Sequence, residues 1–187
     1  MKKIIITLIL ASLLANLAAC GSPKPSDADQ SDTNVTDTNE VKDVAIAEIG
    51  DAVVKEFEEQ FTGAVEIDSE MLEATYVIKP EWVGESYSVM PMIGFNITTL
   101  VGIRASDGHA EDVEKALEDY DEYFRTDAMQ YPATVGKAKA AQVYRRGDYV
   151  FFLILGDIDM EADDDANYET AAAAVKKAIE IIDSKLG

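Results

Sequence analysis

Seven consecutive apolar side chains, YVFFLIL from Tyr149 to Leu155, stand in a chain of 187 residues whose formal charge is −20. A bilayer crossing takes about 20 apolar residues, so a run this short reads as a strand. With no polar position along it, the run is expected at the centre of a sheet. The segment AKAAQVYR precedes it, and Gly147 between the two predicts a hairpin.

The rest of the chain supplies partners for that hairpin. Ile46, Ile49, Val53 and Phe57 recur at helical spacing between Asp43 and Gln60, which predicts a first helix. IDSEMLEATY, from Ile67 to Tyr76, opens on the cap-competent Asp68 and Ser69 and predicts a short second helix ending near Lys79-Pro80. From Ser86 to Ser106 the residues are β-branched and apolar with a break near Gly94, read as two joined strands, and Pro91 places the first of them at an edge or a bulge. Ser106 and Asp107 offer a cap for a third helix, with Val113, Ala116, Leu117, Tyr120 and Phe124 as its core stripe. A last helix, from Asn167 to Leu186, carries Tyr168, Ala171, Val175, Ile179, Ile182 and Leu186 on one face. Hairpins rather than strand–helix–strand alternation predict an α+β domain: an antiparallel sheet of about four strands in two hairpins, with helices packed on one face.

The beginning of the chain has another character. Lys2 and Lys3 precede an apolar run from Ile4 to Leu17, and small residues follow before Cys20, the order of an export signal. Leu17-Ala18-Ala19-Cys20 resembles the lipobox of bacterial lipoproteins. The resemblance implies a diacylglyceryl group on the Cys20 sulfur and cleavage before Cys20, with residues 1–19 as the signal peptide. Two acyl chains hold a protein to a bilayer stably where one is marginal.

Residues 20–42 then read as the lipidated cysteine and a disordered acidic linker, since Ser, Thr, Asp, Asn and Pro leave little to bury. A flexible coil of about 20 residues spans roughly 25 Å. Residues 43–187 remain for a single domain, long enough to bury a core. With Cys20 as the one cysteine no internal disulfide forms, and stability rests on packing. Loss of Lys2 and Lys3 with the signal takes the formal charge from −20 to −22. Such a surface repels phosphate, which excludes nucleic acid as an expected partner and disfavours a domain lying flat on anionic lipid.

Taken together, the lipobox, the polar tether, VGIRASDGHAEDVEKALEDYDEYF, QYP and VYRRGDYVFFLI resemble a bacterial lipoprotein family known as a domain of unknown function, DUF 4358, over roughly Val44 to Asp157. The resemblance carries no catalytic residues. It implies an envelope protein of Gram-positive type, lipid-anchored on the outer face of the cytoplasmic membrane.

Four constellations have a bland reading beside a functional one. Arg146-Gly147-Asp148 spells an adhesion tripeptide and equally a tight turn. Asp157, Asp159 and Glu161 alternate as in a calcium loop, but an EF-hand counted from Asp157 would need Gly at Ala162 and Glu at Tyr168. Asp163, Asp164 and Asp165 otherwise favour the start of the last helix, as Lys176, Lys177 and Lys185 favour its end. His109 follows Ser106-Asp107-Gly108, yet adjacency does not build a triad. Trp82, the single tryptophan, either covers a core edge or offers a stacking face to a sugar ring, and it is the one candidate ligand residue.

The sequence thus predicts a lipid-anchored, non-catalytic binding module, with Cys20 as the lipidation site and no catalytic residue, metal or cofactor assigned. Its expected partners are the membrane, through the lipid, and an envelope protein or wall component. The alternative is a carboxylate-dependent hydrolase acting on a wall or lipid substrate.

Overall fold

The structure, a computed structural model, describes residues 41–92 and 95–187. Cys20, the signal segment, most of the linker and the join near Gly94 lie outside the described residues. Helix α1 (Ile46–Glu56) is followed by a three-residue strand β1 (Ala64–Glu66) and helix α2 (Ser69–Tyr76), capped by the Asp68 side chain, which accepts from the Met71 N–H at 2.9 Å. Strands β2 (Val83–Pro91) and β3 (Thr99–Ala105) come next, then helix α3 (Ala110–Thr126), the short helix α4 (Val135–Lys139), strands β4 (Gln142–Arg146) and β5 (Tyr149–Ile154), and helix α5 (Asp164–Leu186). The five strands are antiparallel in the order β1-β2-β3-β5-β4.

The α+β class and the antiparallel sheet are as expected; β5 is an interior strand between β3 and β4, and the central one is β3. Two details differ. The sheet has five strands rather than about four, because β1 pairs Ala64–Glu66 with Val89–Pro91 and is too short to show an alternation. Pro91 ends β2 paired with Ala64 of β1, while the pairing to β3 runs only as far as Val89. Helices also cover both faces rather than one. Val101, Ile103, Val150, Phe152 and Ile154 pack under α2 and α3 with Leu72, Val113 and Leu117. Leu100, Tyr149, Phe151 and Leu153 pack under α1 and α5 with Ile49, Val53, Val175 and Ile182. A strand whose alternate residues are all apolar presents two greasy faces, and each must be taken out of water.

Local corrections have local causes. Helix α3 begins at Ala110, not at a Ser106 or Asp107 cap: Gly108, at φ +81°, turns the chain first. AKAAQVYR is only partly strand, since Ala138 and Lys139 belong to α4. In the hairpin, Gly147 at φ +60° is the first of two loop residues between the paired Arg146 and Tyr149. A positive φ at that position suits the strand twist and needs glycine.

The chain enters at the hairpin end of the sheet. The Lys42 N–H donates to the Leu186 carbonyl at 2.9 Å, and the Tyr149 hydroxyl bridges the Val44 carbonyl and N–H at 2.7 and 2.9 Å. Arg104 pairs with Asp43 at 2.7 Å and with Glu85 at 3.2 Å. At the same end Arg146 donates to Asp183 and to the Gly187 carbonyl, and the Tyr144 hydroxyl also donates to Asp183.

Candidate functional site

The groove between the end of α2 and the outer side of α3, ≈ 510 Å³ in volume, is the best-formed apolar concavity among the described residues. Tyr76, Val77, Trp82, Ala116, Tyr120 and Tyr123 line it, with Asp112, Lys115 and Asp119 at its rim. Its floor is built by helical spacing: Ala116, Tyr120 and Tyr123 lie on one side of α3. The Tyr76 and Tyr120 ring centroids are 4.5 Å apart, and Tyr120 meets Phe152 of the sheet edge-on at 5.6 Å and 88°. Burial pushes the hydroxyls of both Tyr76 and Tyr120 above the usual phenol range, so the floor stays neutral.

Two walls are less ordinary. Val77 ends α2 in the left-handed region at φ 58°, and its side chain is 67% exposed. A β-branched residue there is strained, and strain of this kind clusters at binding sites. Tyr123 is 54% exposed. Trp82, half-buried in the Pro80–Trp82 turn, covers the edge of the α2/α3 core and lines the groove as well. Lys79 Nζ lies 4.8 Å from the centre of its ring, and the His109 ring stacks on it at 6.2 Å.

The other sequence candidates resolve into structure. His109 Nδ1 lies 2.8 Å from Asp112 Oδ2, so the ring engages Asp112 and Trp82. In the tripeptide, Arg146 is held by Asp183 and Gly147 makes the turn. In the acidic stretch, Asp163 caps α5 by accepting from the Ala166 N–H at 2.9 Å. Asn167 ties down Asp159, donating to its carbonyl at 3.0 Å and accepting from its N–H at 2.9 Å. Among the described residues no cluster of three His, Cys, Asp or Glu side chains is placed to hold a metal ion. For the hydrolase alternative, burial pushes Asp121 above the usual carboxylate range; its Oδ1 is buried without a hydrogen bond, and its Oδ2 is held by Arg125.

One concavity was not legible in the sequence. At the far end of β3 from Trp82, a pocket of ≈ 330 Å³ is lined by Glu59, Gln60, Phe95, Asn96, Thr98, Lys137, Asp157 and Ile158. Lys137 is 2% exposed, and its Nζ donates to Thr98 Oγ1 at 2.6 Å. Burial pushes its amine down to about 8, against the opposing pull of the Asp157 charge. A lysine between Val135-Gly136 and Ala138 carries no motif; the only sign was the small residues around it, which leave room for its stem.

A family model described as Domain of unknown function (DUF4358) matches residues 57–155. The chain belongs to this family. The DUF4358 match runs from the end of α1 through β5, inside the Val44–Asp157 span of the likeness, and takes in the whole lining of the aromatic groove and, of the pocket, the residues from Glu59 to Lys137. Helix α5 lies outside the matched span. No curated protein and no solved structure matches the chain.

Proposed function

We propose that this protein is a lipid-anchored, extracytoplasmic binding module, held by a diacylglyceryl group on Cys20 and taking an apolar segment of an envelope component into the groove of Tyr76, Val77, Trp82, Tyr120 and Tyr123. The groove carries the reading. It is concave, aromatic and largely apolar, and one wall is a strained, exposed valine that packing alone does not call for. Asp112 and Asp119 at the rim and the formal charge of −20 favour a partner whose flanking groups are neutral or basic. The lipobox-like LAAC and the polar linker support the anchor and the reach.

Two measurements test the reading. Wild-type protein should sediment with membranes and Cys20→Ala should stay soluble; a Cys20→Ala chain that still sediments contradicts the anchor. Trp82 emission should shift saturably when the chain is titrated with an apolar peptide bearing lysines. In Tyr123→Ala that binding should weaken about tenfold or more, as for an exposed aromatic anchor. An emission that never saturates, or a Tyr123→Ala titration that overlays the wild type, contradicts the groove.

A further inference from the structure

The pocket at the start of β3 is separate from the groove. Thr98 immediately precedes β3, while the Trp82 carbonyl accepts from the Ser106 N–H just past its end. The strand between them spans about 23 Å at roughly 3.3 Å per residue. It is also the end away from the hairpin where the chain enters.

The polar side chains of this pocket hold one another. The Gly156 N–H donates to Gln60 Oε1 at 2.9 Å, Asn96 Nδ2 donates to the Gln60 carbonyl at 3.0 Å, and the Thr98 N–H donates to Asn96 Oδ1 at 3.0 Å. Amides and threonine are thus fixed, and the remaining bond of the set is the one from Lys137 to Thr98. An ammonium group has three donors, and among the described residues Thr98 is the acceptor for one of them. No carboxylate of the described residues lies within 4.0 Å of Nζ; a buried amine is ordinarily paired. Gly136 lets helix α4 approach α5 closely, and Lys137 next to it is buried. Thr134, Ala138 and Ala140 on the same stretch are buried too, and Lys137 lines the pocket.

The mouth adds a second observation. Phe95 is 43% exposed and Tyr131 60% exposed, with ring centroids 5.8 Å apart. An aromatic lip above a polar floor admits a small molecule with an apolar tail and one polar end. The charged groups that line the pocket with the amine are Glu59 and Asp157. These acids disfavour an anion as the polar end. A neutral electrophile is left.

From this geometry we propose that Lys137 is a nucleophilic amine, and that the pocket binds a small aldehyde or ketone and holds it as an imine. The nitrogen lone pair attacks the carbonyl carbon and forms an N–C bond. The resulting carbinolamine loses its oxygen as water, and the imine stays on Nζ; water reverses both steps, so no oxidant or reductant is needed. Thr98 Oγ1 fixes the direction of Nζ, and the amine, depressed to about 8, holds a far larger neutral fraction at pH 7 than an ordinary lysine does.

The test is reductive trapping on the full chain with propanal and cyanoborohydride at pH 7, read by peptide mass spectrometry. Lys79 and Lys139, both exposed, serve as internal references. Lys137 should acquire the propyl group about tenfold or more faster than either, from the difference in neutral amine. Its rate should level off with propanal, and the preference should vanish in urea. Thr98→Val, which removes the acceptor that directs Nζ, should slow labelling of Lys137 and leave the rates at Lys79 and Lys139 unchanged. A lysine that merely ties β3 to α4 would label last, and that result overturns the proposal. Protection of Lys137 by phosphate would also overturn it, by showing an anion site instead.

Discussion

Single residues carry the functional content of this fold, and two of them work against their own stability. Val77 occupies a backbone region that costs an L-residue with a branched side chain about 1–2 kcal/mol. It stands at the groove, 67% exposed, where its methyl groups have nothing of their own chain to pack on from that side. Val77→Gly should therefore stabilise the protein by about 0.5–1 kcal/mol, the relief of strain less the extra chain entropy of glycine. The same change should weaken binding of the lysine-bearing peptide. Denaturation midpoints and Trp82 titrations of the two proteins check both halves, and a variant that is less stable contradicts the strain. Lys137 is the second case. Taking an amine out of water costs stability, and its bond to Thr98, the one it makes among the described residues, offsets only part of that. Val77 has no signal in the sequence, and Lys137 only the small residues around it. Backbone strain at Val77 appears only once α2 has ended, and the burial of Lys137 only once α4 has docked.

At the scale of elements, legibility followed length and period. Helices α1, α3 and α5 and the β4–β5 hairpin were read from stripes and from Gly147, and α2 from Asp68, because each repeats its pattern over several turns or carries a cap. Strand β1, with three residues, and α4, with five, are too short to repeat anything. Their positions are set by partners far away in sequence: Val89–Pro91 for β1 and the first turn of α5 for α4. That second contact is close. A Cβ added to Gly136 would lie 2.2 Å from the Asp164 carbonyl oxygen and 2.8 Å from the Tyr168 nitrogen, both backbone atoms. Gly136→Ala should thus cost about 1–3 kcal/mol, the range of an overpacked site. Thermal unfolding at neutral pH measures it, and an unchanged midpoint would mean that α4 and α5 do not meet as described. The aromatic groove is half legible: the sequence singles out Trp82 and places Tyr120 in the core, while Tyr123 and Val77 join them only where the end of α2 meets α3.

For the whole molecule, the run from Tyr149 to Leu155 already contained the layering. Both of its faces are apolar, so one layer of helices leaves a greasy surface in water, and the α1/α5 layer is the cover the second face requires. Helix α5 supplies much of that cover from outside the matched family span. The sheet separates two concavities along β3. The groove of Trp82 lies on the α2/α3 side toward the end where the chain enters, and the Lys137 pocket lies at the other end. Acids stand at both, Asp112 and Asp119 at the groove and Glu59 and Asp157 at the pocket, and they disfavour an anionic ligand in either. The central claim is that the groove meets a partner in the cell. The most direct measurement places a photo-crosslinking phenylalanine analogue at Tyr123 in living cells, with Tyr168, 45% exposed on α5, as the control position. The account predicts one adduct of defined mass at 123 and none at 168. Equal adducts at both positions, or none at either, would contradict it.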